Sequence, residues 1–445
     1  SIDFRSRASS PEETSFLAAR VAGRPMEVTY AALEKAPAVL LVAFEPEDEA
    51  PIVLLRLRQA ARRGTRVLSL GAVASRGLAK VSGSLIDAVP GHEAAALADL
   101  PADTVALLSQ PGAVIMVGER AATSPGTLAA TAALADRTGA GLAWVPRRAG
   151  ERGALDAGAL AGLLPGGRPL ADPQACAEVA AVWGVAPADL PSVGRSGDAL
   201  LQAARDGSLA ALLIAGVDPA DYADASLAAA AIERAGFVLS LEHSHSAVTA
   251  VADVVLPVAR VTEKAGTYLD WEGRPRPFGQ VFREALTMPD ARVLAMLADA
   301  LGGAQPADVR ALRSELAELG HWGGGRPTTP TPTAATPRTA SAGEVVLATW
   351  RQLLDAGTLQ ADEPHLAATA RPVAARMSAA TKAAHGLGEQ VTVTGPAGSL
   401  TVPVEVADVL DGVVWLPENS PGCRVRIDLG ASAGDVVGLS SGGTA

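Results

Sequence analysis

Aromatic side chains are scarce: Phe, Trp and Tyr make up 3% of 445 residues. With 49% hydrophobic residues overall, any core must be built from Ala, Val and Leu. Cysteine is scarcer still. Cys176 and Cys423 have no spacing that makes a disulfide framework or a thiolate metal site, so they read as small buried hydrophobes in a chain suited to a reducing compartment. No apolar run reaches the ~18 residues that span a bilayer, so no direct membrane insertion is expected. Blocks of positive charge are missing as well. The net charge is −11, and Arg62-Arg63 and Arg147-Arg148 are isolated pairs. Nucleic acid is therefore not an expected partner, because phosphate binding needs clustered Lys and Arg. The chain opens on Ser1 rather than Met, and an N-terminal region is expected to precede it.

What is present is a recurring strand–turn–helix–strand unit. Ala38 to Ala43 reads as a buried strand, Phe44-Glu45-Pro46 as a turn, Pro51 to Arg63 as a helix, and Arg66 to Leu70 as the next strand. Proline in the first helical turn and Gly64 after the last mark that helix's ends. The unit returns at Leu212 to Leu241, where Gly216-Val217-Asp218-Pro219 aligns with Ala43-Phe44-Glu45-Pro46. A third partial copy runs from Val114 to Val145. Repeated βαβ units build doubly wound parallel sheets, and ligands of such sheets sit beyond the carboxyl ends of the strands.

The pattern changes near Gln305. Residues 307–319 read as helix, Arg326 to Arg338 as a Pro/Thr-rich linker, and Ala342 to Ala356 as helix again. From Gln390 onward, alternation and Gly/Pro punctuation indicate a small β-barrel. The expected architecture is α/β: a Rossmann-like lobe over residues 1–105, a second over 106–305, a helical segment with the linker over 306–389, and a barrel over 390–445. The first helix is expected across 13–36.

The most informative stretch is 237–278. Its Ala252-Asp253-Val254-Val255-Leu256-Pro257 run, the Glu263…Gly266-Thr267 pair and Glu272-Gly273-Arg274, placed in a two-lobed body with a C-terminal barrel, resemble the molybdopterin oxidoreductases. Ile2 to Arg5, Arg147 to Gly153 and Leu163 to Gly167 are similar to the large iron–sulfur subunits (the G subunits) of proton-pumping NADH:quinone oxidoreductases, respiratory complex I. That resemblance implies a body that kept the fold and lost the cofactor. No cofactor is then expected in this segment: molybdopterin is disfavoured, and [2Fe–2S] and [4Fe–4S] clusters are expected in the region before Ser1. It also implies a peripheral location on the cytoplasmic side of the inner membrane, with other subunits of the complex I peripheral arm as partners. The remaining readings are an active molybdopterin enzyme such as a formate dehydrogenase, and a stand-alone Rossmann-type nucleotide binder.

In active members of the family a Gly-x-Asn-Pro turn faces the pterin dinucleotide phosphates. Here both copies of the turn carry an acid in place of the amide, and the first also replaces Gly with Ala43. Added carboxylates repel a pyrophosphate, and a side chain crowds the backbone approach that glycine permits. The expected site is thus a vestigial dinucleotide edge formed by Gly216, Asp218, Pro219, Glu242, Thr249, Asp253, Gly266 and Thr267, with no catalytic residue and no metal ligand. His243 and His245 lack a third ligand nearby, so they read as a polar strand exit. Asp253 reads as a backbone-bonding residue that fixes a turn. Glu263 and Glu272 read as ion-pair partners of Arg260, Arg274 and Arg276 rather than as an acid–base pair.

Overall fold

The computed structural model describes all residues except 26, 285, 304, 332–337 and 443–445. The chain divides into two compact units: Ser1–Met26 with Arg148–Thr329, and Glu27–Arg147 with Pro330–Ala445.

The second of these holds a five-stranded sheet of β1 (Ala38–Val42), β2 (Arg66–Gly71), β3 (Ser84–Asp87), β4 (Val114–Gly118) and β5 (Gly141–Val145). Every neighbouring pair is parallel, in the order β3-β2-β1-β4-β5. β1 and β4 are buried at every position, as a continuous apolar run in a sheet covered on both faces requires. Helix Pro51–Ala61 buries Val53, Leu54, Leu57 and Ala60, one stripe at helical spacing. Leu57 is completely enclosed, so Leu57→Ala costs about 2–5 kcal/mol. Helix Thr127–Thr138 buries most of its residues and is rich in threonine. The Thr131 and Thr138 hydroxyls donate to the carbonyls of Thr127 (2.7 Å) and Leu134 (2.8 Å), which satisfies them inside the core.

The same unit contains a closed six-stranded barrel. Its strands run 344–350, 413–417, 375–377, 399–406, 390–394 and 436–441 around the wall. Val345, Leu347, Val391, Val393, Leu416 and Val437 fill its interior. Outside it, Trp350 and Trp415 pack 4.8 Å apart in a cluster with Ala72 and Val409, which seats the barrel on the end of the sheet.

The other unit carries a three-stranded parallel sheet, Ala211–Ala215, Phe237–Glu242 and Val254–Pro257, with the middle segment central. An antiparallel hairpin, Gly266–Leu269 with Pro275–Phe278, follows. The N-terminal segment is fixed by a buried ion cluster. Arg7 bonds Glu13 (2.8 Å) and Glu151 (3.0 Å), and Arg5 bonds Asp3 (2.6 Å) and Glu13 (3.1 Å). Glu13 is fully enclosed, so its charge is sustained by these guanidiniums.

Several expectations change. Residues 342–356 do not form a helix: Glu344–Trp350 is a barrel strand, because a short apolar run fits either element and its β-branched residues and barrel partners decide. The segment 13–36 is two helices, Pro11–Arg20 and Tyr30–Leu33, interrupted around Gly23, whose φ is +60°. The cut expected at 105/106 falls within one sheet, since β4 pairs with β1. The third partial copy therefore completes the first lobe. The barrel also begins before 390, taking strands from 344 and 375. Local pattern marks strands but not their partners. Of the expected Pro/Thr linker, 332–337 lie outside the described residues.

Candidate functional site

The order of the five-stranded sheet reverses between β1 and β4, and a doubly wound sheet opens its ligand crevice at such a point. The residue after β1 is Ala43, with φ +46°. A left-handed alanine costs about 1–2 kcal/mol, so the surroundings hold it there. Gly118, at the end of β4, approaches so closely that a Cβ on it would lie 2.3 Å from the Ala43 carbonyl oxygen. Glu45 then caps helix Pro46–Glu49, its Oε1 accepting the Glu47 N–H (3.0 Å). Glu49 Oε2 accepts the Glu45 N–H (2.5 Å), and Arg120 grips Glu49 with two bonds, 2.8 and 3.2 Å.

Burial pushes the Glu45 carboxyl up to about 7. Near neutrality it is half protonated, and a neutral carboxyl resembles the amide of an Asn in donor and acceptor capacity. Burial also raises Glu49, against the pull of Arg120. Burial opposes the charge on Arg120, but Glu49, with Glu418 and Glu45, outweighs it and leaves Arg120 raised. Asp48 accepts from the Trp350 indole (3.0 Å) and pairs with Arg371 (3.1 Å). A small polar cleft remains at the switch point, with Ala43, Glu93, Arg120, Ser124 and Glu418 in its wall. Its polar groups are engaged with one another: Ser124 donates to Glu93 (2.6 Å), and Arg426 pairs with Glu418 (2.9 Å).

The second copy of the turn keeps its glycine. Gly216 has φ +61°, and a Cβ placed on it would meet no atom within 4 Å. Asp218 Oδ1 accepts the Ala220 N–H (3.0 Å) just after Pro219. Glu242 ends the neighbouring strand; Ala215 pairs with Leu241, so Gly216 and Glu242 share one edge. Glu242 is buried, accepts the His243 N–H (3.0 Å) and lies 3.1 Å from its Nδ1. The other expected site residues make contacts of their own. Thr249 exchanges hydrogen bonds with Ser246. Asp253 accepts the Val238 N–H (2.7 Å) at the opposite, amino end of the sheet, so it joins two strands rather than fixing a local turn. Gly266 and Thr267 sit on the hairpin, where Arg313 bonds the Gly266 carbonyl (2.7 Å) and the Thr267 hydroxyl (2.6 Å). Glu272 pairs with Arg274 (3.1 Å) and Asp270 with Arg276 (3.1 Å), whereas Glu263 accepts the backbone N–H of Arg260 (3.1 Å) and the Thr287 hydroxyl (3.3 Å). The Glu49–Arg120 pair escaped the sequence reading; the acidic run 45–49 was its one visible sign.

The molybdopterin oxidoreductase family profile matches residues 5–287. The chain belongs to the molybdopterin oxidoreductase family. Among its relatives, the NADH-quinone oxidoreductase G subunit of Mycobacterium bovis is 54% identical over 450 aligned positions, covering 99% of this chain and 56% of that protein. The G subunit of the Streptomyces coelicolor enzyme is 49% identical, covering 98% of this chain and 55% of that protein. The chain thus spans about half the length of the curated relatives it matches. Acetylene hydratase from Pelobacter acetylenicus shares the fold, with a TM-score of 0.54 at 14% identity over 95% of this chain and 77% of that one.

As a molybdopterin oxidoreductase family member, the chain would be asked to hold a pterin dinucleotide at these edges. The first edge does not fit one. Glu45 and Glu49 already accept the N–H groups that open the turn, so a phosphate there would find those donors taken.

Proposed function

We propose that this chain is the cofactor-less, molybdopterin-oxidoreductase-like body of the G subunit of an NADH-quinone oxidoreductase. Its role is structural. It supports electron transfer from NADH to quinone through iron–sulfur clusters, [2Fe–2S] and [4Fe–4S], carried by parts of the protein outside this segment. Its partners are other subunits of the peripheral arm, and its place is the cytoplasmic side of the membrane. No helix among the described residues is long and apolar enough to cross a membrane, which suits a peripheral position. The observation that carries the reading is 54% identity to the Mycobacterium bovis G subunit along 99% of the chain. The self-capped turn at Ala43–Glu49 supports the absence of cofactor chemistry.

The test uses the full-length protein purified from its host. Co-purification with NADH-quinone oxidoreductase activity, loss of membrane NADH–quinone turnover on gene deletion, and no molybdenum by elemental analysis are expected. Near-stoichiometric molybdenum with extractable pterin would establish instead an active molybdopterin oxidoreductase, a reading favoured by the retained left-handed Gly216.

A further inference from the structure

Aromatic residues are rare in this chain, and some of its phenylalanines are packed away. Phe16 and Phe44 are enclosed, yet Phe282 is 61% exposed and its neighbour Val281 66%. Val261, 46% exposed, joins them, because the backbone N–H groups of Val281 and Phe282 both donate to the Thr262 carbonyl, at 2.9 and 3.0 Å. The other end of this segment is fastened too. The Ala259 N–H donates to the Met288 carbonyl (2.8 Å), and the Thr287 hydroxyl to Glu263 (3.3 Å). Residues 281–282 and 287–288 are therefore both clasped onto 258–263, and Val261, Val281 and Phe282 are exposed on that base. Holding a contact surface in place before binding lowers the ordering cost of binding.

The charge around this knuckle departs from that of the chain. The net charge is −11 overall, but Arg260, Arg283 and Arg292 are exposed here and form no ion pair among the described residues. Of the nearby acids, Asp290 pairs with Lys264, Asp270 with Arg276 and Glu272 with Arg274, while Glu263 accepts the Arg260 N–H and the Thr287 hydroxyl. Among the described residues of 281–288, Glu284 is the one exposed acid. Exposed apolar residues rimmed by polar ones mark interaction surfaces, and Phe and Arg are residues that anchor them.

We propose that the Val261–Val281–Phe282 knuckle docks into an apolar groove rimmed by carboxylates on another subunit of the same complex. This rests on the proposed function above. Phe282 and Val281 fill the groove, and Arg260, Arg283 and Arg292 meet its acidic rim. An anionic lipid surface is the poorer occupant. A juxtamembrane cation contributes about 1 kcal/mol, and a knuckle this narrow offers no amphipathic face to bury.

The test compares wild-type full-length protein with Phe282→Asp and with the double variant Arg260→Glu/Arg283→Glu, expressed in the host. Val185→Asp, at a site 43% exposed elsewhere on the surface, is the control. The readouts are the amount of intact NADH-quinone oxidoreductase complex recovered on the tagged chain and the melting temperature of the purified chain. Both test variants should melt as wild type does, and should lose about tenfold or more of the recovered complex, as for a central aromatic anchor. The control should lose none. The charge reversal keeps the question open to refutation even where the aspartate disturbs the loop. Full recovery of complex on both variants would overturn the docking proposal while leaving the proposed function intact. Failure of the wild type to recover any complex would sink both. Sedimentation of the wild type with phosphatidylglycerol vesicles, abolished by Phe282→Asp, would replace the protein partner with a membrane and overturn the proposal.

Discussion

Replacing Glu45 by Gln tests the electrostatics of the switch-point turn directly. Burial holds the Glu45 carboxyl at about 7 in the folded chain, against 4.5 ordinarily. At ~1.4 kcal/mol per tenfold change in proton affinity, the ionised side chain costs the fold about 3 kcal/mol. The folded-state value lies above the unfolded one, so stability is greatest below about pH 4.5, where the group is neutral in both states. It falls as pH rises from there through 7, and the whole cost is present above that. Gln keeps the carbonyl oxygen that accepts the Glu47 N–H and cannot ionise. Urea unfolding followed by tryptophan fluorescence reads the difference, with Trp350 bonded to Asp48 three residues along. Near pH 4.5 the variant should match the parent within about 0.5 kcal/mol, the usual range for a harmless substitution. At pH 8 it should be more stable by up to about 3 kcal/mol. A difference that stays flat from pH 4.5 to 8, or a variant less stable at pH 8, would refute the assignment of a buried, reluctantly ionised Glu45.

The two copies of the turn should respond oppositely to exchange of Ala and Gly. Ala43→Gly should be neutral or stabilising by up to about 1 kcal/mol, as relief of the left-handed strain exceeds the added chain entropy, whereas Gly216→Ala should cost about 1–2 kcal/mol from backbone strain alone; thermal melts of both check the pair. In the N-terminal ion cluster, Arg7→Met and Glu151→Met should each cost about 3–5 kcal/mol by stranding a buried charge. The double variant should fall short of their sum by about 1–3 kcal/mol in a double-mutant cycle, and strict additivity would mean that the 3.0 Å pair is not coupled.

Much of the fold was legible because the sheet strands are short, uniformly apolar and bounded by Gly and Pro. Ala38–Val42, Val114–Gly118 and Val413–Pro417 announce themselves in this way. Pairing was not legible. Nothing local in Val114–Gly118 says that it lies beside β1, so one lobe was divided in two. EVVLATW over 344–350 carries no strand alternation, because the barrel wall buries six of its seven residues. The site was only partly readable for a related reason. Gly216 and Asp218 carry a turn signature in sequence, whereas Thr249, Asp253 and Thr267 carry none. Their hydrogen bonds run to Ser246, Val238 and Arg313 instead. The Glu49–Arg120 pair spans 71 residues, a separation over which sequence pattern carries no contact information.

The two turns separate conformation from chemistry. Ala43 and Gly216 both take left-handed backbone, although only one is a glycine, and in both copies an acid caps the next turn of helix. In the first copy the conformation is held by its neighbours. Gly118 abuts the Ala43 carbonyl, and Asp48 and Glu49 are tied to Arg371 and Arg120. Those contacts fix the path and hold an alanine in left-handed backbone, and guanidiniums answer Asp48 and Glu49. Single substitutions should not reverse this. An amide at position 45 leaves Glu49 on the Glu45 N–H, and removing Glu49 alone takes the bidentate partner from Arg120 while leaving Glu418 and the Trp350 ring beside it. A phosphate would find free donors there only after both changes, with Arg120 left to receive it. The first edge is tied by a set of mutually dependent contacts, so its response to substitution is set by the group rather than by the identity of any one residue.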